Sequence, residues 1–250
     1  MRVDVLTLFP QLFEGILSNG ILRIAAEKKL LEVHARNFRD FTKDRYKSVD
    51  DKPYGGGPGM VLMCEPIYLC HDAAVEEGRS AGLVEPRRVL LSPQGRRLDQ
   101  ELLRELAKEQ WLMLFCGHYE GFDERVLQGL KPLEVSIGDY VLSGGEVPAM
   151  VLLDGIARLL PGALGAPDGA GDDSFSRAGG LLEAPQYTRP RVFRGMDVPA
   201  ILLGGDHGAI QRWREEQARD RTRVRRPDLL ARPNRDENQD TNEAKEIQEP

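Results

Sequence analysis

Three short stretches of this sequence combine glycine, polar side chains and the end of an apolar run. They are Leu91-Ser92-Pro93-Gln94-Gly95, Cys116-Gly117-His118-Tyr119-Glu120-Gly121 and Ser136-Ile137-Gly138-Asp139-Tyr140-Val141-Leu142-Ser143-Gly144-Gly145-Glu146. Glycine has no Cβ, so the backbone there can approach a ligand or a second chain segment closely. A strand-to-helix turn tightened by glycine accounts for any one of them. Three on successive strands describe a pocket walled by main-chain N–H and C=O groups. Tyr140, between the glycine turns of the third stretch, reads as buried. A fourth stretch, Pro53-Tyr54-Gly55-Gly56-Gly57-Pro58-Gly59-Met60, closes a long mixed-charge segment beginning at Asn37. Its four glycines can present N–H groups to an anion. No Lys-Ser/Thr pair follows, so it is not a P-loop. A phosphate cradle and a flexible lid fit its composition equally.

Other chemistries find little support. Cys64, Cys70 and Cys116 are odd in number and lack CxxC spacing, which points to a reduced, cytoplasmic chain rather than a zinc site or a disulfide framework. His34, His71, His118 and His207 are scattered, with no HExxH-like pattern, so no metal site is expected. None of the three turns contains GxGxxG, so a dinucleotide-binding reading has no fingerprint. No apolar run is long enough to span a bilayer, and Met1-Arg2-Val3-Asp4-Val5-Leu6 reads as a strand, not a signal peptide.

The formal charge of −6 is unevenly spread. From Arg212 to Arg226 there are seven arginines against three acids, and from Pro227 onward seven acids against three bases. A basic helix followed by an acidic tail differs from a uniformly acidic protein, so the overall charge does not exclude a nucleic-acid partner. Composition, 41% apolar and 30% charged, is that of an ordinary soluble globular protein. At 250 residues, one large domain or two smaller ones are both open.

The elements that must position the turns follow from periodicity. A strand is predicted over 3–9, then a helix opened by Pro10 with Leu12, Phe13, Ile16 and Leu17 on one face. Ser18-Asn19-Gly20 breaks it, and Ile21, Ile24 and Ala25 continue a second apolar face. The segment 37–60 is predicted to lack structure of its own. Helices are predicted over 66–77, 99–108, 122–130 and 147–160, and strands over 88–91, 111–116 and 133–137. The inward face of the last helix is assigned to Val147, Met150, Val151, Asp154 and Ala157. Strands alternating with helices mean a parallel α/β sheet, whose ligands sit at the carboxyl ends of the strands. Composition makes 163–180 a linker, 181–232 a small, mainly helical second domain with Asp206 as an N-cap, and 233–250 a disordered acidic tail.

These blocks, with Asp173-Ser174-Phe175, Tyr187-Thr188-Arg189-Pro190 and Arg225-Arg226-Pro227, resemble the bacterial tRNA (guanine-N1)-methyltransferases, in the family's order and over nearly the whole chain. The resemblance implies a methyltransferase of the SPOUT class, with a deep C-terminal trefoil knot in a domain spanning 1–162. It also implies a homodimer with an active site shared between subunits, S-adenosylmethionine as methyl donor, and the anticodon loop of tRNA as partner. The knot loops would hold the donor through the backbone at Leu91, Gly117, Ile137, Gly138, Tyr140 and Leu142. Ser92, Pro93, Tyr119, Asp139, Val141, Gly144 and Gly145 would line the pocket, with Glu120 near the reactive end. A need for Mg2+ is not readable from the residues.

The reaction so implied is methyl transfer to N1 of the guanosine 3′ of the anticodon. That nitrogen is protonated at neutral pH, so a general base must free its lone pair. The resemblance gives this role to Asp173, with Asp172 a competitor, and gives Arg158 the stabilisation of negative charge on O6. From the residues alone, Arg158 reads as a helix-end arginine and Asp173 as a linker acid. His118 stands where arginine is also common in the family. Two alternatives remain: a related knotted enzyme acting on another RNA site, and a non-catalytic RNA-binding protein of the same fold.

Overall fold

The computed structural model describes residues 1–165, 173–176 and 180–231. The predicted acidic tail lies outside them. The chain divides into two compact units, Met1–Pro167 and Asp168–Pro250.

The first unit runs β1 (Arg2–Thr7), α1 (Leu12–Leu17), α2 (Gly20–Glu27), β2 (Glu32–Asn37), a 3-10 turn (Phe38–Phe41), β3 (Asp50–Asp51), β4 (Val61–Leu62) and α3 (Cys64–Ser80). It continues with β5 (Arg87–Arg97), α4 (Gln100–Leu106), β6 (Trp111–Cys116), α5 (Glu124–Leu130), β7 (Leu133–Ser136) and α6 (Glu146–Leu159). Five strands form one sheet in the order β2-β1-β6-β5-β7, every pair parallel. Side chains alternate between its faces, as the two-residue period of a strand requires. Val3, Val5, Leu112, Leu114 and Cys116 belong to one apolar cluster with Phe13, Leu102 and Leu152. Leu6, Met113 and Phe115 belong to the other, with Ile67 and Val126. Each fully buried leucine or valine contributes roughly 1.5–3 kcal/mol. With both faces covered, only the strand ends and sheet edges are left for a site.

Several expectations change. β2 was not foreseen: Glu-Val-His-Ala-Arg-Asn is too polar to read as a strand, and it forms at an edge where its side chains are mostly half-buried. The segment 37–60 does carry structure, namely the 3-10 turn and β3, which pairs antiparallel with β4. Pro10 precedes rather than opens α1, which begins at Leu12. The inward face of α6 is Pro148, Ala149, Leu152, Leu153, Ile156 and Ala157. Val147 and Val151, assigned inward from periodicity, are 55% and 47% exposed. Asp99 and Asp123 cap α4 and α5 by accepting from the backbone N–H of Leu102 and Arg125, each at 2.9 Å.

The second unit contains a two-stranded hairpin, β8 (Val192–Phe193) and β9 (Met196–Asp197), a 3-10 turn (Ala200–Leu203), α7 (His207–Arg225) and α8 (Pro227–Leu230). Asp206 caps α7 as expected, accepting from the Ala209 N–H at 2.9 Å. The arginine cluster lies on this helix. Among the described residues, no helix is long and apolar enough to cross a membrane.

An ionic cluster is buried across the neighbouring strands β2, β1 and β6. The fully buried Asp4 carboxylate accepts from Arg2 Nε at 2.8 Å, Arg36 Nε at 2.8 Å and Trp111 Nε1 at 2.8 Å. Glu77 receives the second nitrogens of both arginines, at 2.9 and 2.7 Å. Burial alone raises the pKa of Asp4, but the bonds from Arg2, Arg36 and Trp111 outweigh it and hold the group below its ordinary 3.8. A carboxylate with a depressed folded pKa contributes stability that is present above the unfolded value and lost as pH falls through the folded one. Asp4→Asn is therefore expected to lower the unfolding free energy by roughly 3 kcal/mol in urea titrations at neutral pH. The gap between variant and parent should narrow as pH drops below 3.8; a gap that widened there would contradict the assignment.

Candidate active site

The second and third glycine stretches leave the carboxyl ends of β6 and β7, while the first lies within β5. The first is an excursion inside a strand rather than the turn after one. Up to Leu91, β5 pairs with β7; the register then jumps, Leu91 and Arg96 both facing Val135, and the ladder resumes with Arg97 opposite Ser136. Residues 92–95 thus leave the sheet and return to it. A Cβ on Gly95 would overlap the backbone of Glu134 and Val135, so only glycine allows the return.

The second stretch turns sharply after Cys116, with Tyr119 at φ +58° and Gly121 at φ +103°. Backbone bonds tie it to β4 and its approach: Glu120 N–H donates to Met60 C=O at 3.0 Å, and Leu62 N–H to Gly121 C=O at 2.9 Å. The glycine run 55–59 is therefore fastened beside this stretch. Gly55, Gly56, Gly57 and Gly59 all have positive φ, and a Cβ on Gly59 would strike the Glu120 side chain. Tyr54 is fully exposed.

The third stretch closes onto the second. Gly145 N–H donates to Gly117 C=O at 2.8 Å, and His118 and Gly144 form an antiparallel bridge. A Cβ on Gly145 would lie 2.7 Å from Cys116 Cα and 3.0 Å from Gly117 N, nearer than real side chains come to backbone. At the near end of the stretch, Gly138 N–H donates to Ser136 Oγ at 3.2 Å and Tyr140 N–H to Gly138 C=O at 3.0 Å. Tyr140, expected to be buried, is 54% exposed. At the far end, Glu146 opens α6 with its carboxylate buried, accepting from Thr7 Oγ1 at 2.7 Å. That bond ties the third stretch to the end of β1.

Together the stretches enclose a cavity of about 340 Å³. It is lined by Leu91, Ser92, Pro93, Gly117, Tyr119, Glu120, Ile137, Gly138, Tyr140, Val141, Leu142, Gly144 and Gly145, all singled out from the sequence. Asp139, singled out with them, is exposed and is not among the lining residues. Gln94 and Ser143, which lie within the quoted stretches but were given no role, also line it, as do Phe122, Glu134 and Pro148, which sequence reading missed. Only nearness to a glycine turn could have signalled Phe122.

The lining includes Glu120, Glu124, Glu134 and His118 but no cysteine. Burial, with the Glu146 charge nearby, pushes the Cys116 thiol well above its ordinary range, so it is no nucleophile. His118 packs edge-on to Phe9 and Tyr119, at 5.3 and 5.0 Å between ring centres, and its buried Nδ1 has no hydrogen-bond partner. Among the described residues, no three His, Cys, Asp or Glu side chains are grouped to hold a metal ion. Such a cavity suits binding and orienting a ligand through main chain; a nucleophile is not part of it.

The two residues expected to carry proton and charge chemistry lie elsewhere. Arg158 sits half-buried in the last turn of α6, where a cation also complements the helix dipole. Asp173 belongs to the second unit, and Asp172 lies outside the described residues. The Asp173-Ser174-Phe175 motif is held there by its neighbours. Phe175 N–H donates to Leu181 C=O at 3.0 Å, Glu183 N–H to Ser174 Oγ at 3.1 Å, and the Arg226 guanidinium lies over the Phe175 ring at 5.9 Å. The structure thus joins two motifs that the sequence separates by about fifty residues, Asp173-Ser174-Phe175 and Arg225-Arg226-Pro227.

Comparison with known proteins assigns the whole arrangement. The sequence model of the tRNA (Guanine-1)-methyltransferase TrmD family matches residues 1–232. The chain belongs to this family. Among relatives in it, the tRNA (guanine-N(1)-)-methyltransferase of Moorella thermoacetica is 55% identical over 234 residues, 94% of this chain and 92% of that protein. The corresponding protein of Geobacillus kaustophilus is 54% identical over 230 residues, 92% of this chain and 91% of its own. The crystal structure of tRNA (m1G37) methyltransferase from Aquifex aeolicus is similar with a TM-score of 0.71 and 39% identity, covering 88% of this chain and 93% of that one. The α/β architecture, a central parallel sheet flanked by helices, is thus shared with a solved member of the family.

The glycine contacts predict opposite outcomes at two positions. Gly145→Ala is expected to destabilise the first unit by roughly 1–3 kcal/mol in chemical denaturation, since backbone must move to admit the methyl. Gly15→Ala, in α1 with nothing within 4 Å of the added Cβ, should be neutral or stabilise by up to about 1 kcal/mol. Equal effects at both sites would remove the close-approach argument.

Proposed function

We propose that this chain transfers a methyl group from S-adenosylmethionine to N1 of the guanosine 3′ of the anticodon in tRNA. The observation that carries this reading is the cavity itself: the residues expected to hold the donor converge there, in a chain belonging to the tRNA (guanine-N1)-methyltransferases. The cavity fits the donor's needs. A Cβ at Gly138, Gly144 or Gly145 would strike Tyr140, Glu146 and His118, or the Cys116 backbone, so at these points the wall can only be main chain. The backbone of Leu91, Gly117, Ile137, Gly138, Tyr140 and Leu142 would hold its adenine and ribose, with Glu120 near the reactive end. S-adenosylmethionine, when bound, supplies a methyl group on a positively charged sulfur.

The chain's own residues supply the rest. Asp173 accepts the proton from guanine N1, which turns that nitrogen into a nucleophile. As the proton leaves, negative charge gathers on O6, and the Arg158 guanidinium stabilises it more in the transition state than in the ground state. The target base must leave its stack to be reached, which favours a loop nucleotide. The arginines of α7 meet tRNA phosphates, so binding weakens steeply with salt.

In this reading the knotted donor-binding domain spans 1–162, a linker 163–180, and the tRNA-binding domain 181–232, in a cytoplasmic enzyme. The sheet's strand order and the excursion in β5 support a trefoil knot formed by the three glycine stretches. The enzyme works as a homodimer, the base of one subunit serving the pocket of its partner. Exposed Val141, Val147 and Val151 support this, since apolar surface of that kind calls for a covering partner.

Asp173→Asn is expected to retain donor binding in calorimetry while methyl transfer falls by about 10²–10⁴-fold. Arg158→Ala should lose about 10²–10³-fold in kcat. Both are read by mass analysis of a tRNA transcript incubated with labelled donor, against a transcript whose target guanosine is replaced. Full turnover by either variant returns that residue to a purely structural role, and equal labelling of both transcripts defeats the assignment of the target base.

A further inference from the structure

The arginine helix is not the only surface of the second unit suited to RNA. β8 and β9 are joined through Arg194 and Gly195, with φ of +51° and +77°. Positive φ at both central positions is the signature of a tight two-residue turn whose twist matches the strands. Phe193 faces Met196 across the ladder, and Val192 faces Asp197. Because side chains alternate along a strand, Phe193 and Met196 share one face, and Val192 and Asp197 the other. Arg191, two residues before Phe193, falls on the Phe193 face, and its C=O accepts from Val198 N–H at 3.0 Å. The Arg194 guanidinium lies over the Phe193 ring at 5.3 Å.

This face is solvent-facing and one-signed. Phe193 is 55% exposed and Met196 64%, in a hairpin with no core of its own to enter. Between 189 and 198 the chain has three arginines and one acid, and that acid, Asp197, is on the opposite face. The hairpin leads directly into the 3-10 turn Ala200–Leu203, which packs against the arginine-bearing α7. An aromatic ring with a guanidinium over one face, on a cationic ground, is what unpaired nucleotides need: a base stacks on the open face, and the arginines meet the neighbouring phosphates.

We propose that the Arg191-Phe193-Met196 face, with Arg194, is a docking platform for an unpaired loop nucleotide of the tRNA substrate, using none of the residues that line the donor cavity. The inference rests on the reading of the chain as a tRNA methyltransferase. The platform sets affinity and leaves the chemical step alone.

The test uses the full-length protein and an end-labelled tRNA transcript followed by fluorescence anisotropy. Phe193→Ala should raise Kd about tenfold, the loss of one base stack, with methyl transfer at saturating tRNA unchanged. Phe193→Tyr, which keeps a ring, should bind within about twofold of the parent. Arg194→Ala should reduce the slope of log Kd against log salt by about one phosphate contact. If Phe193→Ala binds as the parent does while the parent methylates tRNA normally, the platform is refuted and the methyltransferase reading stands. If Phe193→Ala instead converts a dimer into monomers in sedimentation, a second copy of the chain covers this face, which also refutes it. If the parent protein neither binds nor methylates the transcript, the underlying reading fails and the platform with it.

Discussion

The cavity exists because backbone touches backbone at two points where no side chain fits. Gly145 lies against Cys116 and Gly117, and Gly95 against Glu134 and Val135. These contacts do what side-chain packing does in an ordinary core. The bond from Gly145 N–H to Gly117 C=O and the bridge between His118 and Gly144 hold the distance. A wall of this kind reads the shape and polarity of a ligand with little use of side-chain charge. The thiol of Cys116, which packs against Gly145 beneath these contacts, is inert.

The sheet constrains where such a wall can be. Covered on both faces, it has free backbone only at its ends and edges. Asp4 gathers Arg2, Arg36 and Trp111 into a buried cluster across β2, β1 and β6. The cavity forms at the carboxyl ends of the strands. There Thr7 holds Glu146, so the helix after the third glycine stretch is anchored to the first strand of the chain.

Much of this was legible because glycine at a strand end is a local signal. The strand 111–116 matches β6 residue for residue, because six successive apolar side chains leave no other reading. What failed did so for tertiary reasons. The second half of β5, Ser-Pro-Gln-Gly-Arg-Arg, has no strand character and is a strand only because β7 waits beside it. The inward face of α6 was misassigned because apolar residues stand on both sides, Val147 and Val151 outward, Leu152 and Leu153 inward. Periodicity cannot choose between two apolar faces. The roles proposed for Asp173 and Arg158 were legible only through family resemblance, since an acid in a glycine-rich segment and an arginine at a helix end are common in any protein.

The bond between Thr7 and Glu146 spans 139 positions of sequence, and the neighbour of β1 in the sheet, β6, begins at Trp111. On a ribosome the chain emerges from its first residue. The first strand is thus made early and must wait, with one edge unpaired, until more than a hundred further residues have been synthesised. Closing so long a loop has an entropic cost that only the finished sheet repays, and structures dominated by distant pairings form slowly. The cavity is consequently the last feature of the first unit to appear in a newborn molecule. Until α6 has left the exit tunnel, the protein has a partial core and no site.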